Sequence, residues 1–177
     1  MWKTWANLLT LLRIVSIVPC AWAILNDHWG TASVLFTVAV ITDLLDGPLA
    51  RRYGHDSALG GLLDHATDAA FVAITLGALA FIGYGNTLLP GLIVAAFIQY
   101  ALDSRVLAGH QLKTSWLGKN NGIAYFVLVG VPVIRNGLDL SWPADVWIDA
   151  LGWLLVLTTL TSMLDRLLAL LRERRSS

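Results

Sequence analysis

Residues 41–70 read ITDLLDGPLARRYGHDSALGGLLDHATDAA, and four aspartates within this stretch organise the rest of the chain. Asp43 and Asp46 are three residues apart, and Asp64 and Asp68 are four residues apart. Because helical residues at these spacings share a face, each pair is expected on one side of its own helix. The surrounding residues are apolar enough for a membrane, where an unpaired carboxylate costs roughly 2.5–3.5 kcal/mol or more. Four carboxylates in such a setting predict a functional site.

The two aspartate pairs also predict a cation site. If the two helices face each other, the four carboxylates converge, and like charges at close range need cations between them. Ligand sets made only of oxygen favour hard cations, so Mg²⁺ or Mn²⁺ is expected before Zn²⁺.

The same stretch carries a longer pattern, D-x2-D-G-x2-A-R-x8-G-x3-D-x3-D. Its eight fixed positions are Asp43, Asp46, Gly47, Ala50, Arg51, Gly60, Asp64 and Asp68. The pattern resembles the signature of the CDP-alcohol phosphotransferases, membrane enzymes that make phospholipid head groups. The resemblance implies a transferase that moves a phosphatidyl group from CDP-diacylglycerol to a small alcohol and releases CMP. It also implies a homodimer, and it implies two Mg²⁺ or Mn²⁺ ions, because a pair of metals can bridge the phosphate oxygens of such a donor.

The resemblance implies a role for each aspartate. Asp43, Asp46 and Asp64 would be the principal metal ligands. Asp68 would complete the metal site and act as the catalytic base that takes the proton from the acceptor hydroxyl. His65 occupies a variable position of the pattern and is interpreted as a supporting or packing residue.

Three small residues of the pattern, Gly47, Ala50 and Gly60, follow the same helical stripes as the aspartates. Their missing side chains would let the CDP moiety approach the backbone closely. The alternative is helix packing through small residues, which is common in membranes. Arg51 is a candidate partner for the donor phosphate, for Asp43 or for lipid head groups.

The composition predicts a single integral membrane domain over residues 1–177. Hydrophobic residues make up 56% of the chain and charged residues 14%, and the mean hydropathy is +0.67. These values are typical of a protein that lies among membrane lipids and has no soluble core. The net charge of zero gives no indication about partners, and no nucleic-acid partner is expected. The single cysteine, Cys20, excludes an internal disulfide framework.

Six apolar segments are candidates for membrane spans, which need about 20 residues each. They are residues 8–25, 31–51, 59–82, 88–107, 117–134 and 146–171. The predicted fold class is therefore all-α, a polytopic membrane protein with six transmembrane helices. Pro132 is expected to interrupt the end of the fifth segment. Three glycines outside the pattern, Gly61, Gly77 and Gly91, are interpreted as helix-packing positions.

The positions of lysine and arginine predict the orientation. With six spans, both termini lie on the same side as the second and fourth loops, and eleven of the twelve basic residues fall there. Arg135 is the exception. Because cytoplasmic segments are enriched in Lys and Arg, both termini and the aspartate site are expected in the cytoplasm, at the inner membrane if the protein is bacterial.

Two shorter segments resemble phosphatidylglycerophosphate and cardiolipin synthases within the family. Residues 7–13, NLLTLLR, resemble the opening of those enzymes, and residues 115–119, SWLGK, resemble the start of their fifth span. Asn7, Thr10 and Arg13 share a helix face. This face suits either a phosphate-facing stripe or ordinary capping with a snorkelling arginine.

Basic residues near the fourth and fifth spans are candidates for the acceptor site. Arg105 and Lys119, with Asp103, suit either a basic acceptor pocket or a local ion pair. Asp165 and Arg166 are expected to pair with each other or to snorkel to the cytoplasmic interface.

Glycerol 3-phosphate is the first expectation for the acceptor alcohol, and phosphatidylglycerol, which would give cardiolipin, and an inositol phosphate are alternatives. Asn120 and Asn121 depart from those synthases, which more often have threonine or similar residues there. From a different functional class, a cation transporter would explain aspartates inside the membrane. It would not explain the glycine, alanine and arginine between them.

Overall fold

The computed structural model describes the backbone of residues 5–52, 58–103 and 116–176, and the side chains of residues 9–45, 60–102 and 116–169. Six α-helices and no strands are found in this part of the chain. They are α1 (Trp5–Leu25), α2 (Trp29–Arg52), α3 (Ala58–Phe81), α4 (Leu88–Asp103), α5 (Trp116–Gly137) and α6 (Asp145–Ser176). The all-α prediction with six helices is confirmed. The predicted end of the fourth segment, residues 104–107, lies outside the described residues.

Tight turns separate the helices at one end of the bundle. Asp27, between α1 and α2, has a φ of 58°, and the His28 amide donates to the carbonyl of Ala23 over 2.8 Å. Gly83 and Gly85, between α3 and α4, have φ values of 96° and 75°. Such left-handed conformations favour glycine and tolerate aspartate, so these residues reverse the chain with little strain.

Helix α5 does not end near Pro132, so the prediction of an interruption there is wrong. The helix runs through the proline to Gly137. A proline removes one intrahelical hydrogen bond, and neighbouring membrane helices can satisfy the backbone groups around it. Close by, the Ser33 hydroxyl of α2 donates to the carbonyl of Val133 over 2.9 Å, which ties α5 to α2 just after the proline.

The helices are arranged around α3. It contacts α1 on one side and both α4 and α5 on the other. Helix α6 contacts α4 and α5, so α3, α4, α6 and α5 form a closed ring of four helices. Helix α1 packs against α2 and α3, and α2 packs against α5. This topology leaves room for a cavity inside the ring and a second meeting point where α1, α2 and α3 converge.

Aromatic residues fill the centre of the bundle. The rings of Phe71 on α3 and Phe126 on α5 stack with centroids 6.0 Å apart, and Phe36 on α2 lies 6.3 Å from Phe71. Large apolar side chains also cover the outer surface, for example Val18, which is 72% exposed, and Phe81, which is 83% exposed. Apolar residues both inside and outside are expected for helices surrounded by lipid.

Helix packing through glycine occurs at positions that the sequence did not single out. A Cβ atom at Gly130 would lie 2.7 Å from the Phe36 ring, and one at Gly137 would lie 2.1 Å from the Ser33 hydroxyl. Gly77 and Gly91 have nothing within 4 Å of such an atom, so their interpretation as packing positions is wrong. Glycine on α5 therefore lets α2 approach closely.

Three helices contain described stretches that are long and apolar enough to cross a membrane, namely Gly60–Phe81, Trp116–Gly137 and Asp145–Ala169. Shorter apolar stretches occur in the other three, at Leu9–Leu25, Trp29–Leu45 and Leu88–Leu102. These lengths fit a membrane protein.

A polar cluster ties the helices together at the end of the bundle that holds the Gly83–Gly85 turn. The buried Arg135 pairs with Asp145 over 2.6 Å and donates to the carbonyl of Pro143 over 2.7 Å. Its guanidinium also lies 5.5 Å from the centre of the Tyr84 ring. Asn136 donates to the Tyr84 hydroxyl over 3.1 Å. The aspartate motif lies at the opposite end.

Candidate active site

Three of the four motif aspartates converge where α1, α2 and α3 meet. Asp43 comes from α2, and Asp64 and Asp68 come from successive turns of α3. The three carboxylates surround one guanidinium, that of Arg13 on α1. The spacings in the sequence predict that each pair shares a helix face, and for Asp64 and Asp68 the structure confirms it. The side chain of Asp46 lies outside the described residues.

Arg13 makes a close contact with each of the three carboxylates. Its Nη1 donates to Oδ1 of Asp64 over 2.9 Å and to Oδ1 of Asp68 over 2.5 Å. Its Nη2 lies 3.1 Å from Oδ1 of Asp43. The Arg13 side chain has an exposure of 0%. A snorkelling arginine would reach toward water, so that alternative for Arg13 is wrong.

The charges of this cluster do not balance within the described residues. Three carboxylates face one guanidinium, and the carboxylates remain between about 21% and 33% exposed. Like charges this close favour an additional cation. The cluster therefore carries an excess of negative charge, which a bound cation would balance.

The donor set fits the hard divalent metal expected from the sequence. Carboxylate oxygens are the ligands that Mg²⁺ and Mn²⁺ prefer. Ligand atoms of Asp64, His65 and Asp68 all lie within 4.8 Å of one another, which is close enough to share one ion. His65 was interpreted as a packing residue, and its ring does contact Tyr100 with centroids 5.8 Å apart. Its imidazole is nevertheless close enough to the carboxylates to join them.

Several predicted site residues cannot be placed. The side chains of Asn7, Asp46, Gly47, Ala50, Arg51, Asp103 and Arg105 lie outside the described residues. Gly60 lies in the first turn of α3, before Asp64, and Thr10 lies one turn before Arg13 on α1. The proposed nucleotide and acceptor roles of these residues remain predictions.

A cavity of about 530 Å³ opens in front of the carboxylates and extends into the ring of helices. This volume is in the range of small-molecule sites. Its polar lining consists of Asp43, Asp64, His65, Asp68, Gln99, Tyr100, Lys119, Asn121, Tyr125, Thr159, Ser162 and Arg166. Apolar residues such as Ile93, Phe97 and Phe126 line it as well. The cavity is therefore amphipathic.

Arg166 is a cavity residue that sequence reasoning assigned elsewhere. It forms no ion pair with Asp165 in the described part of the chain, so the pairing alternative is wrong, and the snorkelling alternative stays a prediction. Its guanidinium instead lies 4.9 Å from the centre of the Tyr100 ring. Lys119, predicted for an acceptor site, lines the same cavity. Two cationic side chains, one from α5 and one from α6, thus line the same cavity as the aspartates.

The sequence did not indicate that polar residues of α4 and α5 would line the cavity and join these helices to α6. Gln99 donates to the carbonyl of Met163 over 2.9 Å and so joins α4 to α6. Tyr125 and Thr159 share a hydrogen bond of 2.5 Å between α5 and α6. The signal for Gln99 was available, since a polar side chain within an apolar span is a candidate functional residue. Tyr125 gave no comparable signal.

Comparison with known proteins finds phosphatidyltransferases, both as a family and as individual relatives. The family model described as CDP-alcohol phosphatidyltransferase matches residues 3–165. The chain is similar to the CDP-diacylglycerol–glycerol-3-phosphate 3-phosphatidyltransferases of Salmonella typhimurium strain LT2 and Escherichia coli strain K12. Each is 28% identical over 181 residues, with 92% of this chain and 92% of the relative covered. No solved structure matches the chain.

Proposed function

The chain belongs to the CDP-alcohol phosphatidyltransferase family, and we propose from this that it transfers the phosphatidyl group of CDP-diacylglycerol to glycerol 3-phosphate. The acceptor hydroxyl oxygen forms a bond to the phosphatidyl phosphorus, and the bond from that phosphorus to CMP breaks. CMP leaves with the bonding electron pair, and the hydroxyl proton passes to a carboxylate. The products are phosphatidylglycerol phosphate and CMP. The names of the relatives favour glycerol 3-phosphate over phosphatidylglycerol and inositol phosphate.

One observation carries this proposal, the convergence of Asp43, Asp64 and Asp68 at the edge of a 530 Å³ cavity. A transferase of this kind needs carboxylates that bind metal and accept a proton. These carboxylates must lie beside a space that admits both substrates. A cluster of aspartates used only for helix packing would not require such a space.

The three carboxylates, with Asp46 as the signature predicts, would hold Mg²⁺ or Mn²⁺. When bound, the metal neutralises charge on the pyrophosphate and on the departing CMP. Asp68 is the proposed base, since it lies one turn further into α3 than Asp64 and also lines the cavity. Its carboxylate would accept the hydroxyl proton as the new bond forms.

The CDP moiety is proposed to lie against Gly47, Ala50, Arg51 and Gly60 of the signature. Small residues there would bring the nucleotide close to the backbone of α2 and α3. Ile93, Phe97 and Phe126 offer apolar contacts for the lipid part of the donor.

The acceptor phosphate is proposed to bind Lys119 and Arg166. Both side chains line the cavity that Asp68 borders. A glycerol 3-phosphate molecule held by these cations could direct a hydroxyl toward the carboxylates, because its phosphate and its reacting hydroxyl lie at opposite ends. Asn7, Thr10 and Arg105 remain further candidates for phosphate or acceptor binding.

We propose a single integral membrane domain with its active site and both termini in the cytoplasm, where glycerol 3-phosphate is soluble and the donor lipid is within reach. Membrane lipids would surround its exposed apolar faces, and a homodimer is the proposed assembly.

The test is an assay of CMP release by the purified protein in lipid nanodiscs. CDP-diacylglycerol is supplied with Mg²⁺ or Mn²⁺ and with glycerol 3-phosphate, phosphatidylglycerol or an inositol phosphate. CMP release is expected with glycerol 3-phosphate, and it should be lost in Asp43→Asn and Asp64→Asn proteins that still fold. Release with another acceptor alone would reassign the substrate. No release with any acceptor and either metal would refute the transferase.

A further inference from the structure

Arg13 occupies a position that its sequence context did not predict. The resemblance of residues 7–13 to related synthases made Arg13 a candidate ligand for a substrate phosphate. A phosphate in the active site must reach the cavity in front of the carboxylates. Asp43, Asp64 and Asp68 all line that cavity, but Arg13 is not among its lining residues.

The guanidinium lies behind the carboxylates. Its side chain is fully buried, whereas the three carboxylates are each partly exposed. Because the carboxylates line the cavity and Arg13 does not, Arg13 contacts them from the side that faces the protein interior. A substrate phosphate in the cavity would meet the carboxylates before it met Arg13.

The contacts with Arg13 involve only one of the two oxygens of each carboxylate. Asp43, Asp64 and Asp68 each use one oxygen, Oδ1, in the contact with Arg13. The second oxygen of each group, Oδ2, is then left for a cation. A carboxylate that bridges an arginine and a metal is held in one orientation, and such outer contacts tune the metal site.

We infer that Arg13 is a positioning residue, which orients three metal-binding carboxylates from behind and does not bind a substrate phosphate. This inference rests on the proposed function, because it concerns the metal that the proposed transfer requires. The planar guanidinium suits the task, since its fork of N–H donors can contact several carboxylates from a single side chain. A lysine in the same place would supply the charge without the fork.

The test is direct binding of Mn²⁺ to the purified protein in nanodiscs without substrates, followed by electron paramagnetic resonance of the free ion. Arg13→Met should weaken Mn²⁺ binding by about 10-fold to 100-fold, the usual effect of losing an outer contact of a metal ligand. Arg13→Lys should fall between the wild type and Arg13→Met. In the CMP assay at saturating Mn²⁺, the KM for CDP-diacylglycerol should stay within about threefold of the wild-type value, since Arg13 does not touch the donor.

Arg135→Met is the matched control. Arg135 is also buried and paired with an aspartate, but it lies at the other end of the bundle. Its loss should lower thermal stability and leave Mn²⁺ binding unchanged. If Arg13→Met does not fold, Arg13→Lys is compared with the wild type by the same measurement.

Two results would overturn the inference. Mn²⁺ binding that is unchanged or tighter in the Arg13 variants would show that Arg13 does not orient the metal ligands. A KM for CDP-diacylglycerol or for the acceptor that rises 10-fold or more at saturating Mn²⁺ would make Arg13 a substrate ligand. Because Mn²⁺ binding is measured without substrates, it decides the role of Arg13 even if the wild-type protein releases no CMP with glycerol 3-phosphate.

Discussion

Among single residues, Asp68 differs from the other two described carboxylates in depth. It lies one turn further into α3 than Asp64 and is the least exposed of the three. It also makes the shortest contact with Arg13. All three carboxylates line the cavity, and Asp64 lies nearer than Asp68 to the start of α3, where Gly60 is expected to contact the nucleotide. This difference supports Asp68 as the proposed base, in addition to its place in the metal site.

Asp68→Asn should separate substrate binding from chemistry. The remaining aspartates can still hold metal and donor, so the affinity for CDP-diacylglycerol should fall only modestly. Turnover should fall by roughly 10²–10⁴, the range expected for the loss of a general base. The measurement compares donor binding with CMP release across a Mn²⁺ titration. Full recovery of turnover at high Mn²⁺ would leave Asp68 as a metal ligand and exclude it as the base.

Arg166 gives a second prediction for a single residue. Arg166→Gln should raise the KM for glycerol 3-phosphate about 10-fold to 100-fold, because a hydrogen bond to a charged group contributes about 1.5–3 kcal/mol. The KM for CDP-diacylglycerol should change little. Asp165→Asn is the control, since Asp165 is exposed and does not pair with Arg166. Equal effects on the two KM values would place Arg166 outside the acceptor site.

At the level of helices, hydropathy was sufficient to find the elements but not the faces through which they pack. The predicted segment 59–82 and the observed α3, Ala58–Phe81, differ by one residue at each end. The spacing of Asp64 and Asp68 also predicted their shared face. Apolar residues cover every side of these helices, so periodicity could not show that α3, α4, α6 and α5 form a ring. The cavity, and with it Gln99 and Arg166, depends on that ring.

The contact between α2 and α5 predicts that alanine substitutions at two glycines will have different effects on stability. Gly130→Ala would place a Cβ 2.7 Å from the ring of Phe36, which is itself packed against Phe71. This overpacking should destabilise the protein by about 1–3 kcal/mol. Gly77→Ala adds the same methyl group with nothing within 4 Å, so stability should be unchanged or should rise by up to about 1 kcal/mol. Reversible unfolding in mixed micelles measures both, and equal stabilities would refute the close α2–α5 contact.

Considered as a whole, the molecule separates its polar groups between its two ends. One end holds Arg13 with the carboxylates, and the other holds Arg135 with Asp145 and Tyr84. The first end opens into the cavity. The second is closed by an ion pair and by the turn at Gly83 and Gly85. A site of chemistry at one end and a structural cluster at the other suit an enzyme that receives soluble substrates from one side of the membrane.

The sidedness itself is a prediction that cysteine labelling can test. Basic residues predict that Ser57 faces the cytoplasm and that the loop at Thr87 faces outward. Single cysteines at these positions are introduced in a Cys20→Ser protein and treated in intact cells with a thiol reagent that cannot cross the membrane. Thr87 is exposed, so its cysteine should react, whereas the cysteine at 57 should react only after the cells are opened. The reverse pattern would put the carboxylates on the outer side, away from cytoplasmic glycerol 3-phosphate, and the proposed acceptor would have to be abandoned with the orientation.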